Sequence, residues 1–309
     1  MRMKREFFKP KKKGVYLHFS NHTVSLRNGD LPFGDIEKRK LLSIIDRYIT
    51  KYNMDLISVV VMSNHFHILL YSHPEQFSLE EAHKIYNRFH KKGDKPVPLS
   101  SPRVESLKRH SNNFSEFMRE VQREFSCWFN ASRDYERQGA LWSKRFHCQL
   151  IQTDAYLWAC VKYLELNPVR ANITEDPAKY SFSTFGRWSD QDRHPYQNNI
   201  ITHLLPLINE KRDQELEEDV QVVKKLKNSM AAEMDIMKSR DLIKKLRRQG
   251  KKAEVIKLEN KIEQAQQEHP QMMYFFSMRD CRGLVIGSER YLREQYHEWE
   301  ALKTLERTG

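Results

Sequence analysis

An α+β fold, with a ferredoxin-like or RRM-like antiparallel sheet carrying helices packed on one face, is what the order of segments in this 309-residue chain predicts. Short runs rich in β-branched and aromatic residues alternate with longer stretches whose apolar residues recur at helical spacing. The order is strand, helix, strand, strand, helix, strand, helix, which is the split βαβ pattern. Beyond about Thr202, Lys, Glu, Gln, Leu and Arg dominate, which adds a mainly α-helical C-terminal extension.

Val15 to Ser25 reads as the first strand. Asp35 is placed to cap a helix through about Lys51, with Leu41, Leu42, Ile44, Ile45, Tyr48 and Ile49 as its apolar stripe. Met54 to Met62 and His65 to Tyr71 form the second and third strands, with a tight turn or bulge at Ser63-Asn64. The polar, proline-bearing segment 73–112 reads as a partly helical, mobile insertion. A helix starting at Asn113 or Ser115 and running to about Arg133 buries Phe114, Phe117, Met118, Val121, Phe125 and Trp128. Leu141 to Ile151 is the fourth strand, and Asp154 caps a helix to about Asn167. Residues 1–205 form one domain on this reading and 206–309 the helical extension, with a role in DNA binding or dimerisation. Gly250 interrupts the helices of 207–268, a hairpin or a dimer contact. Gly283 to Gly287 is strand-like, and Ser288 caps a last helix.

Composition narrows the setting. Charged residues make up 30% and hydrophobic ones 39%, as in a soluble globular protein, and no apolar run approaches the ~20 residues that span a bilayer. The basic start Met1-Arg2-Met3-Lys4-Arg5 lacks the apolar core of a signal peptide, so a cytoplasmic location is expected. Cys127, Cys148, Cys160 and Cys281 are scattered without a CxxC pair, which argues against a zinc knuckle or a disulfide framework. The net charge of +12, with clusters such as Lys11-Lys12-Lys13 and Lys91-Lys92, favours a polyanionic partner through phosphate neutralisation. Any single cluster is better explained as a solvated helix face.

The chemistry concentrates in two places. In Val59-Val60-Val61-Met62-Ser63-Asn64-His65-Phe66-His67-Ile68-Leu69-Leu70, strand alternation turns His65 and His67 to one face and Phe66 and Ile68 to the core. A lone strand histidine is usually an ordinary hydrogen-bonded residue; a pair at i, i+2 supplies two ligands of a divalent-metal site. Downstream, Tyr163 and Asn167 are four apart and share a helix face, with Pro168 marking the helix end. Asn167 can lend its carbonyl oxygen to a metal or cap backbone, and Tyr163 can present its phenol to a phosphate. A tyrosine that attacks a phosphodiester conserves bond energy in a phosphotyrosine link, so the arrangement suits strand transfer better than hydrolysis.

These residues carry a resemblance. VVVMSNHFHILL is similar to the His-hydrophobe-His motif of the HUH single-tyrosine transposases, and YLELNPVRANI to their Y-x-x-x-N-P-V-R helix. Leu141-Trp142-Ser143-Lys144-Arg145-Phe146 and Tyr180-Ser181-Phe182-Ser183-Thr184-Phe185 resemble the segments before and after that helix. The likeness covers about residues 14–190 and is nearest the REP-associated tyrosine transposases. Ser63 stands where proline is common and Asn172 where glycine is usual. The resemblance implies a Mg²⁺- or Mn²⁺-dependent endonuclease on single-stranded or hairpin DNA, with Tyr163 as nucleophile and His65 and His67 as ligands. Related enzymes place Gln or another polar residue near Asn167. Both monomers and homodimers occur in the group.

Around this centre, Arg145 and Arg170 suit bidentate phosphate contacts, or salt bridges to Glu165 or Asp154, and Lys11, Lys12 and Lys13 suit backbone contacts. Trp142 and Phe146 suit base stacking or, better, the core. His18 and His22 are structural or DNA-facing, His147 and Gln149 suit a supporting shell, and Tyr156 suits packing against the sheet or, second to that, a reserve nucleophile's place. Two rival functions stay open: a DNA-hairpin binding protein that does not cleave, and a phosphodiesterase that activates water.

Overall fold

The computed structural model describes residues 8–10, 13–24, 31–89, 95–133, 139–152, 155–190, 196–208, 218–268, 285–288 and 290–297. Lys11, Lys12, Cys281 and the Asp154 cap expected from sequence lie outside them. Strands β1 (Val15–His22), β2 (Met54–Val61), β3 (His65–Ser72) and β4 (His147–Ile151) form an antiparallel sheet in the order β2-β3-β1-β4. A two-residue strand, β5 (Val285–Ile286), runs parallel to β4 at the edge. The protein is therefore α+β, as its segment order predicts.

Strand parity decides what each face holds. Leu17, Phe19, Phe66, Ile68 and Leu150 share one face and are fully buried or nearly so. Helices α1 (Asp35–Ile49) and α4 (Phe114–Ala131) pack over it, with Phe114 against Phe19 at 5.6 Å between ring centres. Helix α4 buries Phe114, Phe117, Met118, Val121, Phe125 and Phe129, a continuous stripe at three- and four-residue spacing. Asn113 caps it by accepting hydrogen bonds from the Ser115 and Glu116 N–H groups. Helix α1 has Gly34, not Asp35, at its cap position, because the Glu37 carboxylate reaches back to the Gly34 N–H.

Two elements depart from the sequence expectation. The fourth strand begins at His147 and not at Leu141. Residues 141–146 turn because Trp142 enters the core against Phe66 and Phe125, its indole N–H donating to Ser126 Oγ at 3.0 Å, while Ser143 N–H bonds the His22 carbonyl. The helix expected to reach Asn167 is split into α5 (Ala155–Glu165) and a single turn, α6 (Asn167–Arg170). Pro168 has no N–H to continue the ladder.

Helices α5 and α8 (Gln197–Leu204) cover the second face, the one that carries the histidines. The insertion is partly helical as expected, with α2 (Leu79–Arg88) and α3 (Pro102–His110) meeting around Ala82, Val104 and Leu107. A short helix, α7 (Thr184–Asp190), follows the Ser181–Ser183 turn, and Arg187 ties it to Asp46 of α1. In the extension, α9 (Glu218–Arg248) and α10 (Lys252–Glu268) form a helical hairpin. Its turn uses Gly250 at φ +74°, a left-handed conformation that costs other residues energy. Val222, Leu226 and Met230 join the main core, whereas Ile236, Ile243 and Leu246 pair with Val255 and Ile262. Ser288 accepts from the Tyr291 N–H at the start of the helical stretch 290–297, the cap expected there. No helix among the described residues is long and apolar enough to cross a membrane.

Candidate active site

The register of the three central strands assembles a row of imidazoles. His22 lies opposite His65, Ser20 opposite His67, and His18 opposite Gln149. The His65 and His67 rings lie 5.2 Å apart between centres and nearly perpendicular, and His22 stacks on His65 at 4.7 Å. The two histidines of the i, i+2 pair thus share a face, as alternation requires. Asn64 Oδ1 accepts from the His65 ring at 2.7 Å, which fixes that ring from the turn side.

A buried hydrogen-bond chain fixes His67. Gln149 Oε1 lies 2.8 Å from His18 Nδ1, and His18 Nε2 lies 2.9 Å from His67 Nδ1. A carboxamide oxygen only accepts, so His18 donates from Nδ1 and its Nε2 must accept. His67 then donates from Nδ1, and its lone pair is on Nε2, the form a metal ligand needs. Burial pushes the His18 and His65 imidazoles down to about 4, the latter helped by neighbouring His22. His67 is held well below the usual range by burial first, then by His18, His65, His22 and Arg170. These rings are neutral at physiological pH.

Helix α5 lays Tyr163 across this row, with its ring 5.9 Å from His67 and 6.5 Å from His18, both edge-on. Two features hold the helix in place. Glu165, buried, accepts from Ser58 Oγ of β2 at 2.7 Å and from the Phe185 N–H at 3.0 Å. Burial pushes its carboxyl up to about 7 against the opposing pull of those hydrogen bonds and of Ser183. At the end of α5, Asn167 Nδ2 donates to the Tyr163 carbonyl at 2.8 Å and to that of Leu164 at 3.3 Å. The amide nitrogen is thus committed to backbone, and only the carbonyl oxygen of Asn167 is chemically suited to ligation.

Among the described residues no three His, Cys, Asp or Glu side chains form a group that could hold a metal ion, so a third donor would have to be of another kind. Two neutral imidazoles and an amide oxygen fit a mixed N/O set, which suits Mn²⁺ better than Mg²⁺ because magnesium favours oxygen alone.

Arg170 places its guanidinium 4.9 Å from the centre of the Tyr163 ring and pairs with Glu233 of α9 at 3.3 Å. Glu165, one of the two partners expected from sequence, instead bonds Ser58 and the Phe185 N–H, and Asp154 lies outside the described residues. Arg145 is exposed on the turn before β4, two residues from Ser143, which bonds the His22 carbonyl. Lys13 is exposed but stands before the opposite end of β1, roughly 23 Å along the strand from the His67 register position. The structure therefore gathers His65, His67, Tyr163 and Arg170 and leaves Lys13 apart. Trp142, Phe146 and Tyr156 are part-buried and pack against the main core. The sequence reading underrated His18, His22 and Gln149 and missed Glu233 altogether. The even spacing of His18 and His22 on β1 was the available signal for the first two.

No protein-family model matches the chain, and no curated protein matches it. Among solved structures it is similar to one described as a REP-associated tyrosine transposase bound to a REP hairpin, with 17% identity and a TM-score of 0.40 over 63% of this chain and 90% of that one. At that identity and TM-score the likeness bears on neither chemistry nor substrate, which rest on the side chains above.

Proposed function

We propose that this chain is a divalent-metal-dependent, single-tyrosine DNA endonuclease and strand transferase that acts on single-stranded or hairpin DNA. One observation carries the reading: a tyrosine on α5 lies edge-on to His67, which is neutral and paired with His65 on the same sheet face. His65 and His67, with the Asn167 carbonyl oxygen as third donor, would hold Mn²⁺ or Mg²⁺, which when bound neutralises charge on the non-bridging phosphate oxygens. Tyr163 attacks phosphorus as its phenol gives up a proton; the bond to the 3′-oxygen breaks, and that oxygen takes a proton up. The products are a 5′-phosphotyrosine and a free 3′-OH, which reversal onto another 3′ end converts into a joined strand. Arg170, beside the ring, supplies positive charge where the phenolate develops. A location in the cytoplasm suits such a DNA substrate.

Labelled hairpin DNA incubated with Mn²⁺ tests this. A covalent protein–DNA adduct is expected from the wild type and none from Tyr163→Phe. Cleavage that survives Tyr163→Phe would establish a water-activating phosphodiesterase instead, and binding without cleavage would establish a hairpin-binding protein.

A further inference from the structure

Helix α9 runs for 31 residues, and its inner side is used twice. Val222, Leu226 and Met230 enter the main core, and farther along Ile236, Ile243 and Leu246 meet α10. The outer side carries Lys224, Lys227, Lys238, Lys245 and Arg248, all exposed. Lys227, Lys238 and Lys245 are separated by 11 and then 7 residues, close to whole helical turns, and Lys224 and Arg248 lie within about a sixth of a turn of that line. The five cations therefore form one row. Asp235 and Asp241 border it, and Asp241 is engaged by Lys244; at the hairpin turn Arg247 and Lys251 are taken by Glu259 and Glu254. Among the described residues, none of the five in the row has an ion-pair partner. Lys224 with Lys227, and Lys245 with Arg248, are like-charge pairs at i, i+3, an arrangement that costs a helix stability and that a merely solvated face avoids.

We infer that the outer face of α9 is a seat for duplex DNA: it holds the paired stem of the hairpin by its phosphates and reads no bases. Two features choose a duplex over a single strand. Neither α9 nor α10 contains a Phe, Tyr or Trp, so nothing on them stacks on an unpaired base as single-strand channels do. The two ends of the row, Lys224–Lys227 and Lys245–Arg248, have midpoints 21 residues apart, about 32 Å along the axis, close to the ~34 Å after which a duplex presents the same backbone again. Most apolar side chains of α9 are taken up by the core and α10, so the face lacks the apolar belt of a helix that lies on lipid. The seat is fixed to the helix that bears Tyr163, because Trp158 of α5 donates to Ser229 Oγ of α9 at 3.2 Å and Lys162 pairs with Glu233 at 3.1 Å. It stands a third of a turn or more round α9 from Glu233 and shares no residue with the histidine row. The inference deepens the proposed reading of the substrate and rests on it for the hairpin.

Binding is read by the fluorescence anisotropy of labelled hairpins in EDTA, so that neither metal nor cleavage enters. The full-length protein is expected to hold a stem of about 12 base pairs roughly tenfold more tightly than one of about 5 with the same loop and tail, because the short stem does not span both ends of the row. Lys245→Gln/Arg248→Gln, which removes one end, is expected to abolish that advantage and to flatten the slope of log affinity against log salt by about 2. Lys224→Gln/Lys227→Gln, at the other end, is expected to do the same and carries the test if the first pair does not fold. Lys257→Gln/Lys261→Gln makes an equal change of charge at exposed positions of α10 and is expected to leave slope and stem preference as they were. Equal flattening by the α10 pair, an equal loss of binding to an unstructured single strand, or a stem preference that survives both end variants would each overturn the inference. Adduct formation with Mn²⁺ is scored on the same hairpins. Stem binding governed by the row, with no adduct in the wild type, would sink the proposed activity and leave the seat standing. An adduct formed equally by the wild type and both end variants, with no preference for the long stem, would do the reverse.

Discussion

Gln149 has no reactive group, yet the tautomer of His67 follows from it through His18. Replacing it with leucine removes the acceptor that orients the His18 ring. Mn²⁺ affinity, measured by calorimetry or by the electron paramagnetic resonance of the free ion, is expected to fall about 10- to 100-fold in Gln149→Leu. Gln149→Glu, which keeps an acceptor oxygen, is expected to retain most of the affinity; equal binding in wild type and Gln149→Leu would separate His18 from the site. At the far end of the same sheet face, Asp55 accepts from His73 at 2.8 Å and from His203 at 2.9 Å. Burial pushes the Asp55 carboxyl up, but those hydrogen bonds and the adjacent imidazoles outweigh it and hold it well below the usual carboxylate range. The hydrogen bond to Asp55 holds His73 above its ordinary value, against burial. A raised histidine stabilises the fold fully below its unfolded value and loses that contribution as pH rises through its folded value; a depressed carboxylate loses its contribution only in acid. His73→Gln is therefore expected to lower the melting temperature more at about pH 6 than at about pH 8.5. Equal losses at both would contradict the pairing. Of these residues, His65 and His67 were legible in the sequence because alternation within one strand needs no knowledge of neighbours. Gln149 was not, since its placement depends on how distant strands align, and a one-residue slip would turn it to the other face.

Periodicity located most elements: α1, α4, β2 and β3 stand within two residues of where their apolar patterns put them. It failed where a tertiary contact overrode local preference. The run Leu141 to Phe146 has strand-like composition, but Trp142 gains more by entering the aromatic cluster of Phe33, Phe66 and Phe125 than by extending β4. Nor does periodicity say which side of a sheet a helix will take, and that choice placed α5 over the histidines. The α9–α10 turn offers a test at this scale. Gly250 adopts φ +74°, and a Cβ there would meet nothing within 4 Å, so the cost of Gly250→Ala is purely conformational. The substitution is expected to cost about 1–2 kcal/mol in urea unfolding. A neutral result would mean that the hairpin contributes nothing to the cooperative unit.

For the molecule as a whole, the sequence suggested a boundary near residue 205 from the change in composition, but composition does not report on contacts. Val222, Leu226 and Met230 are buried in the same core as the sheet, and Glu233 neutralises a lysine on α5. A chain truncated after Ile208 would leave the buried Lys162 without that carboxylate and uncover the apolar surface under α9. It is expected to lose the cooperative thermal transition of the full-length protein, as followed by near-ultraviolet circular dichroism. A truncated chain that melts like the full one would mark the extension as an independent module. The sheet itself bears on how copies of this chain meet. At the Val60–Val61 end of β2 the outer side is occupied, since the Val61 N–H bonds the Phe182 carbonyl and Val60 bridges Ser183. At the other margin, the two described residues of β5 pair with β4. A neighbouring molecule therefore finds little open backbone at that end of β2 on which to add a strand.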